Sequence, residues 1–392
     1  LTLFAWRAPK LMRPAGFAAV SRESFLVLNN LGLAIAAGTV LIGTLYPLLI
    51  EALTGELISV GPPFFDITFS PLMAALLLAL PIAPLMAWRK GDLGTALRWI
   101  WPAGLAAGAT FGLGLFAAGG GFWVGLGLAV GVWCLLGAFT YVWKRWGQGG
   151  PRSLARFLAL PLAVWAMTAA HAGVGVFTLG AVIDTAFKLE RAERMQPGDQ
   201  FEFAGRTVRL LEVVEVDGPN YIATRARLEV TYQGETTLAT PERRFYPGAN
   251  QPTTEVAILP TLTSDFYIAL GEVAQTANGA AFTIRFYRHP FVHLIFWGST
   301  MMAIGGVLEA RAQDIEREIR CVDCENEPIS QSTAEIATDM RQRVRDRIAA
   351  GDTDPEVRAY FRERYGDFVL LRPDVSPMTW ALWATPAVLL LG

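Results

Sequence analysis

The chain has 392 residues, of which 53% are hydrophobic and only 17% charged, with a formal net charge of −2. A mean hydropathy of +0.36 is too high for an ordinary soluble domain, so the composition is that of a polytopic membrane protein. The near-neutral balance gives no global attraction to nucleic acid, and partners have to be argued locally. The sequence opens at Leu1 with no charged segment leading into an apolar core and cleavage site, and it reads as the interior of a longer protein.

About seven hydrophobic spans are predicted, near 27–50, 70–88, 99–117, 121–143, 157–182, 290–307 and 378–392. Arg7, Lys10, Arg13 and Arg22 precede the first; Arg89, Lys90 and Arg98 lie between the second and third; Lys144, Arg145, Arg152 and Arg156 lie between the fourth and fifth. The alternate loops, 51–69 and 118–120, contain no Lys or Arg. The positive-inside rule makes the cationic loops cytoplasmic and sends the fifth span outward, towards residues 184–288. In the loop 51–69, Gly61-Pro62-Pro63 predicts an extended or turned backbone, and Phe64 and Phe65 suit rings seated at the membrane interface.

The fifth span carries the stretch WAMTAAHAGVGVFTLGAVIDTAF, Trp165 to Phe187, with a single histidine, His171. An imidazole in a water-free layer costs free energy unless it has a partner. A hydrogen bond to a neighbouring helix, haem ligation, a proton relay and contact with a transported substrate all fit that position. Residues 190–288 then alternate with period two, and Pro197-Gly198, Gly218-Pro219-Asn220, Gln233-Gly234 and Asn278-Gly279 punctuate them. About six short strands are expected, in a small barrel or sandwich. Arg243 and Arg244 read as a solvated turn or as contacts for an acidic group, and His289 and His293, four apart on one helical face, as two wet histidines or as a metal or haem contact.

From Glu309 to Arg372 the chain is charged and helical. Leu308, Ala312, Ile315 and Ile319 form one apolar stripe; Ser332 and Glu335 have capping-box spacing for a second helix that stops at Gly351; Asp354-Pro355 opens a third that closes at Gly366. The turn after the first helix holds Cys321 and Cys324. Such a pair forms a reversible disulfide or supplies half of a zinc site, and this domain has no further Cys or His to complete the zinc site. Cys134, inside an apolar span, reads as core.

Two resemblances then emerge. SRESFLVLNN (21–30), GTLYPL (43–48), SVGPPFFD (59–66), AAHAGVGV (169–176), the GPNY, PERRFY, TEVAI and DFYIALGE series, and RFYRHPFVHLIFWGSTMMAIGG (285–306) resemble the C-terminal half of the CcmF family, the membrane subunit of a haem lyase. LEARAQDIEREIRCVDCENEPISQS followed by RYGDFVLLRP resembles the CcmH family of thiol oxidoreductases. The organisation this implies is a transmembrane region 1–183, an extracytoplasmic β-barrel-like domain 184–288, a span 289–307, a three-helix dithiol domain 308–373 and an anchor 374–392.

The resemblance further implies covalent attachment of haem to apocytochrome c, with His171 as an iron ligand of a haem b and Cys321 and Cys324 as the pair that reduces the apocytochrome disulfide. It implies a bacterial inner membrane, a haem chaperone and a thioredoxin-like reductant as partners, and a periplasmic β domain. The family's other transmembrane histidine, its outer haem-binding histidines and its tryptophan-rich segment lie upstream of the matched region. Charge alternation nevertheless brings the sixth span back to the cytoplasm, whereas the resemblance expects the dithiol outside. A permease with the β domain as a lid, or an assembly subunit without chemistry of its own, are the competing readings.

Overall fold

A computed structural model describes residues 18–87, 90–117, 121–147, 151–158, 160–248, 251–276, 279–323, 327–332, 334–350, 352–372 and 380. Arg7, Lys10, Arg13, Arg89, the loop 118–120, Gly351, Cys324 and all but Trp380 of the run 378–392 lie outside the described residues. The chain forms two compact units, one of Leu1–Ala106, Val132–Gly175 and Ser299–Gly392, the other of Ala107–Gly131 and Val176–Gly298.

Helix α1, Arg22–Thr54, starts where the Ser21 hydroxyl accepts the Ser24 N–H at 3.2 Å and stops at Gly55 in the left-handed region. Helices α2, Pro62–Thr68, and α3, Ser70–Ala79, follow. The expected extended or turned backbone at Pro62-Pro63 is therefore a helix. Both prolines sit in its first turn, where their missing N–H groups would have had no partner. Helices α4, Leu93–Ala117, α5, Phe122–Trp146, and α7, Leu162–Phe187, complete the long apolar set, with a short α6 at Leu154–Leu158.

Among the described residues four helices are long and apolar enough to cross a membrane, and up to five if the pair bent by 43° between α2 and α3 is one span. The chain is thus a membrane protein of several spans. Phe64 and Phe65 pack on α1, where a side chain at Gly43 would meet their rings at 2.8 and 3.0 Å. Pro81 ends the α3 region and deprives the Leu77 carbonyl of its usual donor four residues on. Cys134 Sγ lies 3.5 Å from that oxygen and Trp133 Nε1 donates to the Leu78 carbonyl at 3.1 Å, so α5 supplies both partners. Cys134, fully buried, is a core residue with this added role.

Among the described residues ten strands follow α7: β1 Leu189–Met195, β2 Gln200–Phe203, β3 Arg206–Asp217, β4 Ile222–Tyr232, β5 Glu235–Ala239, β6 Glu242–Tyr246, β7 Gln251–Glu255, β8 Ala257–Pro260, β9 Ser264–Thr276 and β10 Gly279–Pro290. They exceed the expected six because hairpins turn tightly, as at Ala204-Gly205, where both residues have positive φ and no Pro or Asn marks the turn. One sheet runs β1-β10-β9-β8, the other β2-β3-β4-β6-β7 with β5 also on β4. Alternate residues of each sheet enter a shared core, Val208, Leu210 and Leu228 from one and Phe266, Ile268 and Phe286 from the other. Each such fully buried side chain contributes roughly 1.5–3 kcal/mol.

Helix α8, His293–Glu318, is outside the crossing set because its second half is charged from Glu309 onward. Helices α9, Glu335–Ala349, and α10, Asp354–Tyr365, pack on that half around Ala312, Ile315, Ile319, Val344, Val357 and Phe361. The helix expected to start from a cap at Ser332 starts two residues later. Ala334 is the N-cap of α9, and the Ser332 hydroxyl accepts the Ala334 N–H at 3.2 Å, so it serves the turn before the helix. The α10 start is capped, with the Glu356 carboxylate accepting the Thr353 N–H at 2.7 Å.

Candidate functional site

His171 lies midway along α7, half-buried, with Nδ1 2.8 Å from the Met167 carbonyl one turn earlier. A carbonyl only accepts, so Nδ1 carries the proton and the lone pair is on Nε2. That is the tautomer a metal needs, with the ring held by its other nitrogen. The neighbouring backbone is crowded: a Cβ at Gly305 of α8 would fall 2.4 Å from the Ala166 oxygen and 2.7 Å from the Ala170 nitrogen. The turn that carries His171 is therefore packed directly against another helix.

Cys321 follows two isolated bridges, Ile319 to Leu370 and Arg320 to Pro328, and its N–H donates to the Glu327 carbonyl at 2.8 Å. It is disulfide-bonded and 1% exposed, within the three-helix core. Cys324 lies outside the described residues. Asp323 and Glu327 beside the pair are exposed. Among the described residues no group of three His, Cys, Asp or Glu side chains is placed to hold a metal ion.

One charged group at this domain's core was not anticipated. Glu316 is 2% exposed and pairs with Arg345, whose guanidinium also reaches Glu309 at 2.7 Å. Burial pushes its carboxyl up to about 7; Arg345 opposes the rise and Glu309 adds to it. The signal in the sequence is spacing alone, since Glu316 is one turn on from Ala312 and beside Ile315, on the apolar stripe.

The two histidines after the β domain do not share a helical face. His289 belongs to β10, which Pro290 ends, and His293 begins α8. Nor is His289 wet: its side chain is 18% exposed, with Nδ1 2.9 Å from an Asp184 carboxylate oxygen at the end of α7. Asp265 faces it across the β9–β10 ladder and the Tyr267 ring lies 4.8 Å away. Burial first, then Asp265 and Asp184, holds the Tyr267 phenol above its ordinary pKa.

Arg243 and Arg244 are in strand β6, not in a turn. Arg244 is occupied by Glu242, Glu255 and the Tyr221 ring. Burial alone would raise Glu242, but hydrogen bonds from Arg244 and Arg225 prevail and lower it. Arg243 lines an open groove of about 710 Å³ with Arg285 and Tyr287, and lies 3.9 Å from Glu272.

Comparison with known proteins places these features. Residues 186–290 match the CcmF C-terminal beta-sandwich family, and residues 300–392 match CcmH, a cytochrome C biogenesis protein family. The chain is 40% identical over 313 residues to the cytochrome c-type biogenesis protein CycK of Bradyrhizobium diazoefficiens, covering 79% of this chain and 47% of that protein. It is 39% identical to ccl1 of Rhodobacter capsulatus and 34% identical to CcmF of Escherichia coli, each over 79% of this chain and 46% of the relative. The chain thus spans about half the length of these relatives. A solved structure, Cytochrome c Heme Lyase CcmF, shares the fold with a TM-score of 0.58 at 22% identity, over 74% of this chain and 46% of that one. The chain therefore carries a segment of the CcmF C-terminal beta-sandwich family and one of the CcmH family, in a sequence similar over most of its length to about half of a CcmF-type cytochrome c-type biogenesis protein.

Proposed function

We propose that this chain serves cytochrome c maturation as part of a haem lyase in the bacterial inner membrane, with the β domain on the periplasmic side and apocytochrome c as the acceptor of haem. The observation that carries the reading is the state of His171: in a CcmF-type stretch, its Nδ1 is engaged by the Met167 carbonyl, which leaves Nε2 as the nitrogen that would hold an iron. A b-type haem held there would supply one-electron redox chemistry. The chain's own part is to orient the imidazole through Met167 and to close one side of that turn with α8 at Gly305.

The CcmH-type segment adds thiol–disulfide exchange through Cys321 and Cys324. In the reducing direction the thiolate of one cysteine attacks a partner disulfide, releasing one partner thiol; the second cysteine then attacks the mixed disulfide, releasing the other. Two electrons and two protons pass from the pair to the partner. The burial of Cys321 supports a part for it in the second step.

Absorption spectra of the detergent-purified chain, oxidised and dithionite-reduced, test the haem reading beside a His171→Ala variant. A b-type α-band that vanishes in the folded variant supports it. A band of equal strength in both proteins overturns the assignment to His171.

A further inference from the structure

We infer that the groove on the outer face of the β sandwich holds an extended, acidic polypeptide segment of a partner protein, gripped by Arg243 and Arg285 through two of its carboxylates. The inference goes beyond haem attachment and does not depend on His171.

The groove follows from how the sheet β1-β10-β9-β8 uses its two faces. Phe266, Ile268, Ile284 and Phe286 enter the core, so the residues that alternate with them point away from it. Ala269, Arg285 and Tyr287 thereby form a surface of their own, and β6 and β7 bring Arg243 and Thr254 to its side. The trough between them has a volume of about 710 Å³, within the usual range of ligand sites, with Val256 and Ala269 as apolar lining and Thr254, Thr283 and Tyr287 as sources of hydroxyls.

Charge selects the occupant. Arg285 is exposed and has no acidic partner among the described residues. Across the β1–β10 ladder it faces Ala192, and Glu190, two residues along β1, is taken by Lys188 at 3.9 Å. Arg243 meets Glu272 at 3.9 Å, but the Glu272 side chain is 86% exposed. An ion pair so open to water contributes little, so Glu272 is a loose placeholder that a ligand carboxylate displaces. A bulge puts it there: Gly271 and Glu272 together oppose Thr283 in the β9–β10 ladder, and a Cβ at Gly271 would fall 2.9 Å from the Thr283 oxygen.

Two guanidiniums with hydroxyls between them suit carboxylates, each of which accepts two N–H bonds from one Arg. Arg285 stands opposite Ala269 and Arg243 reaches Glu272, three residues further along β9, so the two points of grip are about 10 Å apart. Residues two to three apart in an extended chain span about 7–10 Å, whereas one small anion does not reach both. The groove also stands clear of the membrane. Ala192, opposite Arg285, lies five residues beyond the end of α7 at Phe187, or about 16 Å of strand. Lipid headgroups extend only about 5–7 Å past the hydrocarbon, so the anion is not a phospholipid.

The test uses the full chain in nonionic detergent and a rhodamine-labelled octapeptide of Val and Thr with two Glu three positions apart, beside the same peptide with Gln in place of Glu. Fluorescence anisotropy reads binding. Replacing Glu by Gln in the peptide, or Arg285→Gln in the chain, should each weaken binding at least about tenfold, as loss of a charge-assisted pair predicts. Glu272→Gln, which frees Arg243, should tighten binding several-fold, a gain that a misfolded variant does not give. Arg209→Gln, an exposed cation of β3 in the other sheet, should leave it unchanged. Equal affinity for the two peptides, an equal loss in Arg285→Gln and Arg209→Gln, or no binding of the Glu peptide at millimolar concentration overturns the inference. Displacement of the peptide by an equal concentration of succinate also overturns it, since the groove would then be a site for small anions.

Discussion

Gly305 and Gly306 are adjacent in α8, yet replacing each by Ala should have opposite effects. Both sit inside a helix, where Ala in place of Gly gains about 1 kcal/mol from reduced backbone freedom in the unfolded chain. At Gly306 nothing lies within 4 Å of the added methyl, so the gain is kept. At Gly305 the methyl would fall 2.4 Å from the Ala166 carbonyl oxygen and 2.7 Å from the Ala170 nitrogen. These are backbone atoms of α7, so no side-chain rotation relieves them and the helices must part. Overpacking of this kind costs about 1–3 kcal/mol, and more where backbone must move. The net expectation is a loss of up to about 2 kcal/mol for Gly305→Ala, more if the backbone must move, against a gain of up to about 1 for Gly306→Ala. Thermal unfolding of the detergent-solubilised proteins, followed by tryptophan fluorescence, reads the difference as several degrees of separation. Ala170→Gly should not rescue Gly305→Ala, because the closest contacts are to main chain. Because Ala170 precedes His171, Gly305→Ala should also lower haem retention. If Gly305→Ala melts with Gly306→Ala, the close approach of Gly305 to the Ala166–Ala170 turn is wrong.

In the C-terminal domain, Glu316 in the folded state holds its proton up to about pH 7, against an ordinary value of 4.5. The folded state then binds the proton more tightly than the unfolded one, so stability is fullest below about pH 4.5 and falls as pH rises towards 7, by roughly 3 kcal/mol for a fully buried carboxyl. Denaturant titrations at pH 5, 6 and 7 should show this decline in the wild type and a flat profile in Glu316→Gln; parallel slopes would refute it. In the β domain, His289→Ala should cost roughly 1.5–3 kcal/mol, since it strips the partially buried Asp184 of its partner, and His289→Asn should recover part of it by keeping a donor. Unchanged melting of His289→Ala would mean that the pair contributes nothing to the fold.

The long apolar runs were legible because a span needs only length and hydrophobicity, and the inward positions of the C-terminal helices because the 3.6 period is unbroken from Ala312 to Ile319 and from Met340 to Ile348. What failed to show were features decided by a partner. Pro62 and Pro63 look like breakers until the chain before them is extended, when the same residues open a helix. Ser332 and Glu335 have the spacing of a cap, but the helix begins one residue after Ala334, so the hydroxyl serves the preceding turn.

Polar residues in apolar surroundings mark the limit most sharply. Burying an unpartnered polar group costs a few kcal/mol, so each such residue announces that a partner exists without saying where. For His171 the partner is four residues back in its own helix, and a helical reading places it within reach. For Cys134 it is the carbonyl of Leu77, left without a donor by Pro81; for His289 it is Asp184, 105 positions earlier; for Glu316 it is Arg345 on the next helix. Sequence spacing supplies local partners and misses distant ones. The long-range pairs are therefore the features that fix how the elements pack, and Leu162 beneath the dithiol domain is the same case in apolar form. A leucine at the mouth of a span is unremarkable in the sequence, and only its contact reveals which end of α7 that domain occupies.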